Sequence, residues 1–268
     1  MSSQPNKPLA LITGASSGIG FELARQFASN GYEIIINSED AAGLETAATQ
    51  LRGEGATVTT QVADLRERDG IHELIRATHA LGRPLDVLAA NAGVGVGGAF
   101  VDTELDEELA LIQLNIASTV HLVKHVAREM AARGAGRILI TGSIAGLMPG
   151  SFQSVYNGSK AFLNIWGEAI REELKDHGVV VTVLMPGATE TNFFHRADMD
   201  DTKIGQSKKQ DAESVAKAGY DAVMADDDHV VAGFKNKVQA AMTNILPDPA
   251  LAKLHRDMAQ PLDQKEKV

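Results

Sequence analysis

An α/β chain wound around one parallel sheet is the fold class this sequence predicts, and three observations carry it. Short, mostly β-branched apolar runs alternate with helical patterns up to Pro186, a glycine-rich turn joins the first run to the first helix, and no Pro/Ser-rich linker or internal repeat divides the 268 residues. Alternation of this kind implies a doubly wound parallel sheet. A prior of about 150 residues per domain would allow two domains, but α/β sheets reach about 250 residues as one unit. Residues 1–268 are therefore read as a single domain.

Strands are predicted at residues 9–13, 34–37, 57–62, 86–90, 137–141 and 179–184, each short and apolar as strands covered on both faces are. Between them Ile19, Leu23 and Phe27 repeat at helical spacing, as do Leu44, Ala48 and Leu51, and then Ile71, Leu74, Ile75 and Thr78. The longest helix is predicted over 106–132, with Leu109, Ile112, Ile116, Val120, Val123, Ala127 and Met130 as its core stripe. Another is predicted over 152–175. After Pro186 the pattern weakens: 189–210 is polar and mixed in charge, 211–225 reads as a helix, and 232–268 has no readable period. Residues 1–6 are expected to be a flexible terminus.

Composition narrows the function classes. The chain has no cysteine, which removes disulfide scaffolds, thiolate metal sites and a cysteine nucleophile, and fits a reducing cytoplasm. Its 25 Lys plus Arg against 35 Asp plus Glu give a net charge of −10, which disfavours a partner that presents phosphates in a row, as nucleic acid does. The start of the chain, Ser2 to Asn6, does not resemble an export signal. The uncharged run 138–159 is long enough to cross a bilayer. It carries Ser143, Pro149, Ser151, Gln153, Ser154, Asn157 and Ser159, so a dry interior beside a site is the better reading and no membrane partner is expected.

Two motifs carry chemistry. Thr13-Gly14-Ala15-Ser16-Ser17-Gly18-Ile19-Gly20 stands between the first strand and the first helix, where glycines let backbone N–H groups and the helix N-terminus approach a pyrophosphate. Alone, the cluster is equally a tight strand-to-helix turn. Tyr156 and Lys160 lie four residues apart and so share a helix face, where an ammonium favours the ionised phenol, and Ser143 stands thirteen residues upstream at a strand end. That spacing by itself also describes a surface Tyr–Lys pair.

Together with Asn91-Ala92-Gly93 after the fourth strand, Asn115 in the long helix and Pro186-Gly187 after the sixth strand, these residues resemble the short-chain dehydrogenase/reductase family in order and spacing over about residues 7–230. Ala90 stands where the family often has a further Asn. The resemblance implies a Rossmann-type sheet, NAD or NADP, and hydride transfer between an alcohol and a ketone or aldehyde. It implies a catalytic set of Asn115, Ser143, Tyr156 and Lys160: the phenol as acid or base, the lysine lowering its pKa and meeting the nicotinamide ribose, the serine holding the substrate oxygen, and the asparagine binding a water that links Lys160 to solvent. The implied dinucleotide contacts are Gly14, Ser16, Ser17, Gly18, Ile19, Gly20, Glu39, Asp64, Leu65, Asn91, Ala92, Gly93, Tyr156, Lys160, Pro186, Gly187, Thr189 and Thr191. The rival from another class is a catalytically silent dinucleotide sensor or scaffold on the same fold.

Glu39 and Asp40 end the second strand where a 2′-phosphate would need a cation, which favours NAD over NADP. The same two acids also suit a plain helix start. Val94, Ile144, Leu147, Met148, Phe193 and Phe194 suggest an apolar pocket for a small neutral carbonyl compound, under a lid at 189–210. His195 and Arg196 stand ready for a carboxylate or for nothing. No metal site is predicted: His121 and His125 have ligand spacing, but Leu122 stands where a metalloprotease motif needs Glu. Leu111, Leu114 and Leu122 on one helix, and Phe162, Ile165, Trp166, Ala169 and Ile170 on the other, form apparent second apolar faces. These predict a homodimer, or a homotetramer built from it.

Overall fold

The computed structural model describes residues 7–262, so the expectation for residues 1–6 and the end of the 232–268 segment lie outside it. In chain order the elements are β1 (Leu9–Thr13), α1 (Gly18–Ser29), β2 (Glu33–Ser38), α2 (Ala41–Gly53), β3 (Val58–Val62), α3 (Arg68–Ala80), β4 (Val87–Ala90) and α4 (Leu105–Ile112). A π-helical segment (Gln113–Ser118) joins α4 to α5 (Thr119–Arg133), and β5 (Gly136–Thr141), α6 (Ser154–Leu174) and β6 (Val179–Met185) follow. The chain continues through α7 (Phe193–Arg196), α8 (Lys203–Gln206), α9 (Ala212–Ala225), β7 (His229–Val231), α10 (Phe234–Thr243) and α11 (Asp248–Ala259). The strands form one parallel sheet in the order β3-β2-β1-β4-β5-β6-β7. Winding reverses between β1 and β4, and the crevice beyond the carboxyl ends of those strands is where open α/β sheets bind ligands.

Period-two alternation sends β1 into both layers. Ala10 and Ile12 pack with Leu23, Phe27, Leu44, Leu51 and Val215 under α1, α2 and α9, whereas Leu9 and Leu11 pack with Ile71, Leu74, Val123, Met130 and Leu163 under α3, α5 and α6. All six predicted strands are present. A seventh, β7, was not predicted, because three residues at a sheet edge are too few to show a period.

The helix predicted over 106–132 is interrupted by the π segment, which carries Asn115. Single π turns inside helices are rare and collect at functional sites. Here the Ser118 hydroxyl bonds the carbonyls of Leu65 and, at 2.8 Å, Gln113. The two apolar stripes are also exchanged at the start of this region: Leu111 and Leu122 are buried, whereas Leu109 and Ile112 are exposed. A helix that is apolar on two faces shows its spacing in the sequence but not which face turns inward. Of the run 138–159, the β5 part is buried, whereas Pro149, Ser154 and Gly158 reach the surface in the loop after β5 and the first turns of α6. The segment Leu105–Arg133, 29 residues long and holding an 18-residue stretch of mean hydropathy 1.2, also matches a membrane span by length and composition, but its buried residues pack on this sheet.

Candidate active site

At the end of β1 the chain turns through Gly14 (φ +65°) and Gly18 (φ +58°), conformations that glycine reaches without strain. A Cβ on Gly20 would lie 2.1 Å from the Gly14 carbonyl oxygen, so only glycine lets α1 begin against this turn. Ser17, the N-cap residue of α1, makes no side-chain cap bond, which leaves the first N–H groups of the helix for a ligand. The Thr13 hydroxyl oxygen accepts from the N–H groups of Asn91 and Ala92, both at 3.0 Å, and the Thr141 hydroxyl donates to Asn91 Oδ1 at 3.1 Å. The ends of β1, β4 and β5 are thereby fixed to one another. Ala90 is simply the buried last residue of β4.

The end of β2 corrects one expectation. Asp40 caps α2, its carboxylate accepting from Gly43 N at 3.0 Å, so it is the plain helix start. Ser38 is bonded to Ser16 at 3.1 Å, and Glu39 lies on the cavity wall. Arg66, which the sequence reading missed, forks onto Asp64 at 2.8–3.1 Å and also bonds Glu39. Its hydrogen bonds hold the Asp64 carboxyl below the usual carboxylate range. Arg66 stands two residues after Asp64, but a guanidinium meeting an acid from another strand leaves no local pattern.

At the end of β5 the Ser143 hydroxyl accepts from Ala145 N at 3.0 Å and donates to Pro186 O at 3.2 Å. Asn164, also missed, clamps the backbone of Ser143, accepting from its N–H at 3.3 Å and donating to its carbonyl at 2.9 Å. Asn164 lies four residues after Lys160 on α6, so a polar residue at helical spacing from the Tyr–Lys pair was its one signal. Burial pushes the Tyr156 phenol up to about 12, with a hydrogen bond to Ser143 acting in the opposite direction. Burial also pushes Lys160 down to about 8. Its ammonium donates to Thr141 O at 2.8 Å and lies 5.9 Å from the centre of the Tyr156 ring. Desolvation therefore dominates the phenol in this structure, and the opposing influence comes from Ser143 rather than from Lys160.

Asn115 is buried, its amide accepting from Val94 N at 3.0 Å and donating to Val94 O at 3.0 Å and Ser159 Oγ at 3.1 Å. Ser159 in turn donates to Tyr156 O at 2.7 Å. Apart from Asn115, every catalytic and cofactor-binding residue expected from the sequence lines one cavity of about 780 Å³.

The far wall of that cavity comes from regions without readable period. The segment 189–210 contains α7 and α8 rather than plain loop, and its ends are tied together by Glu190 N to Gln210 O at 2.7 Å and Gln210 N to Ala188 O at 2.8 Å. Phe193 of α7 lies 5.0 Å, ring to ring, from Tyr156. Val94, Ile144, Met148 and Phe194 share this apolar wall, whereas Leu147 packs in the core and His195 pairs with Asp200 at 2.7 Å. The unread tail supplies α10 and α11, whose Asn236, His255 and Met258 close the cavity. Gln153, one turn before Tyr156, also lines it, and its side-chain NH₂ is buried with no hydrogen-bond partner among the described residues.

Residues 8–202 match the family described as short chain dehydrogenase. Among curated proteins the chain is similar to the ketoacyl reductase HetN of Nostoc sp., at 29% identity over 88% of this chain and 78% of that protein. It is also similar to the very-long-chain 3-oxoacyl-CoA reductase of Podospora anserina, at 36% identity over 64% of this chain and 52% of that protein. Among solved structures it is similar to a short-chain dehydrogenase from Sphingobium yanoikuyae in complex with NADPH, with a TM-score of 0.79 and 28% identity over 94% of this chain and 97% of that one. The glycine cradle and the uncapped start of α1 fit the dinucleotide, NAD or NADP, that such proteins bind. The chain belongs to the short-chain dehydrogenase family of oxidoreductases.

Proposed function

We propose that this protein is an NAD(P)-dependent carbonyl reductase, able to run in reverse as an alcohol dehydrogenase, with Ser143, Tyr156 and Lys160 as its catalytic residues. The observation that carries this reading is their meeting on one cavity wall beside the glycine turn. When bound, the dinucleotide supplies the hydride. The hydroxyls of Ser143 and Tyr156 hold the substrate oxygen and stabilise the negative charge that develops there, and the phenol gives up its proton to that oxygen. Pushed up to about 12, Tyr156 stays protonated throughout the neutral range, which suits a proton donor in reduction. Lys160, cationic below about 8, is the group whose charge favours the phenolate needed for oxidation. Asn115 acts as a positioning residue, because its amide is occupied by Val94 and Ser159. NAD is favoured over NADP, since Glu39 and Asp64 outnumber Arg66 at the adenine end.

The substrate reading joins two features. Beside Tyr156 the wall is apolar, and Gln153 offers an unused donor. At the rim stand Arg196, Lys203, Lys208 and Lys235, none in an ion pair with a described residue although the whole chain carries a charge of −10. This arrangement fits a ketone on an apolar chain with an anionic group beyond it, such as a 3-oxoacyl thioester of coenzyme A, and extends the small neutral compound expected from the sequence. The names of two relatives point the same way. An intact catalytic set disfavours a silent sensor. Tyr156→Phe should lower reduction of ketones and 3-oxoacyl-CoA by about 10²- to 10⁴-fold while leaving dinucleotide binding within about twofold. A near wild-type rate in this variant overturns the assignment.

We also propose a homodimer, or a homotetramer built from it. Leu105, Leu109 and Ile112 of α4 lie exposed beside exposed Phe162 and Ile165 of α6, an unpartnered apolar face that suits a self-complementary contact. Trp166 and Ile170, predicted for that face, instead lean on the core. Sedimentation of the wild type at more than the single-chain mass, and of Ile165→Glu as a monomer, is the expected outcome. A monomeric wild type removes the proposal.

A further inference from the structure

We propose that His72, His121 and His125 form a binding site for one divalent transition-metal ion, zinc in the first instance, on the surface between α3 and α5. The helical spacing of His121 and His125 was visible in the sequence, but the third imidazole comes from α3 and completes a set that no local pattern shows. One ring nitrogen of each histidine lies within 4.8 Å of the others, and the ring centres are 5.2, 5.2 and 6.3 Å apart. Tetrahedral zinc with Zn–N bonds of about 2.0–2.1 Å holds its ligand nitrogens about 3.3 Å apart. The rings must therefore close by at most about 1.5 Å, a side-chain rotation rather than a backbone movement.

The surroundings support a ligand site over a chance cluster. His79, His195, His229 and His255 each have an oxygen partner. His72, His121 and His125 have no hydrogen bond or ion pair to a described residue and meet one another, so their ring nitrogens are unspent. The scaffold beneath is rigid: Ile71 and Leu74 flank His72, and Leu122 and Val126 flank the other two, all buried in one core layer. Three imidazoles with no thiolate suit Zn²⁺, Ni²⁺ or Cu²⁺ over Mg²⁺ or Ca²⁺, and three protein ligands leave a fourth position for water or a small anion. The ion would fasten α3 to α5, which follows directly on the π segment carrying Asn115. Its expected effect is on stability, independent of the hydride chemistry.

Chelator-stripped full-length protein titrated with Zn²⁺ by calorimetry should bind one ion per chain at micromolar concentrations, with a rise in Tm. Co²⁺ should give the visible absorption of a four-coordinate nitrogen site. His72→Gln and His125→Gln should each weaken Zn²⁺ binding at least tenfold and remove both the Tm rise and the Co²⁺ band, with the far-UV circular dichroism unchanged. His177→Gln, a histidine outside the cluster, should alter none of these. Binding that saturates only at millimolar Zn²⁺, or that survives both His72→Gln and His125→Gln, overturns the proposal.

Discussion

At its glycine-turn end the cavity wall is made of strand ends, with β1, β4 and β5 joined by Thr13, Asn91 and Thr141, whereas at its far end it is made of α7, α8, α10 and α11. The first wall uses backbone: glycines in left-handed conformations and helix N–H groups left free for the dinucleotide. The second uses side chains, with aromatic rings against Tyr156 and cations at the rim. A wall that presents backbone to a constant ligand is tightly constrained in sequence. A wall of side chains is free to vary with the substrate, because loops tolerate change that sheet cores do not.

Parallel glycine substitutions break the comparison most directly. A Cβ at position 20 would meet backbone at 2.1 Å, which cannot move aside without displacing the turn, whereas a Cβ at Gly95 would meet the Phe193 ring at 2.4 Å, and that ring belongs to α7. Overpacking against backbone costs about 1–3 kcal/mol, roughly 5- to 150-fold in an equilibrium. Gly20→Ala should therefore weaken dinucleotide binding by about that factor and lower Tm. Gly95→Ala should leave dinucleotide binding unchanged and raise KM for the carbonyl substrate. Fluorescence titration with NADH and steady-state kinetics measure both. Equal effects of the two variants on dinucleotide affinity would show that the two ends are not independent.

The charge pattern at the adenine end sharpens the comparison next. Glu39 and Asp64 both bond Arg66, and the net charge of that trio is negative. NADH should bind more tightly than NADPH, and Glu39→Arg should shift the ratio toward NADPH by about 10- to 100-fold, because one repulsive carboxylate is exchanged for an attractive cation. Binding constants for both dinucleotides in both proteins decide it. An NADPH preference in the wild type would mean that Arg66 lets go of Glu39 to meet the 2′-phosphate.

How far each wall was legible in the sequence follows from the same contrast. The six predicted strands were readable as apolar runs, whereas Gly14 to Gly20, Ser143, Tyr156 and Lys160 stood out only through the order and spacing they share with a known family, since the glycine spacing alone also suits a plain turn and the i, i+4 pair alone a surface contact. Arg66, Asn164 and His255 were not, because each meets a partner from an element distant in the chain, and Gln153 was not, because an unpaired amide looks locally like any polar residue. The same holds for β7, which is too short to show a period, and for the π segment, whose extra hydrogen-bond spacing leaves no trace in an apolar stripe. Asp40 was left open for a related reason: an acid after a strand reads alike whether it caps a helix, as it does here, or faces a ribose.

The smallest expected effect concerns the rim cations, and it separates the apolar wall from the rim above it. Arg196, Lys203, Lys208 and Lys235 are exposed, so their pull on an anionic substrate acts through solvent and fades within a Debye length, about 10 Å at 0.1 M salt. The double variant Lys203→Glu with Lys208→Glu should raise KM for a 3-oxoacyl-CoA by about 3- to 10-fold at low ionic strength, and the difference should shrink as salt is added. The rate at saturation should not change, since neither lysine is among the residues assigned to the reacting carbonyl. A neutral ketone of similar apolar length serves as the control and should show no change in KM. If both substrates lose affinity equally, the two lysines shape the lid rather than attract charge. If neither does, the anionic part of the substrate reading falls while the assignment of Tyr156 stands, because that rests on a different wall of the same cavity.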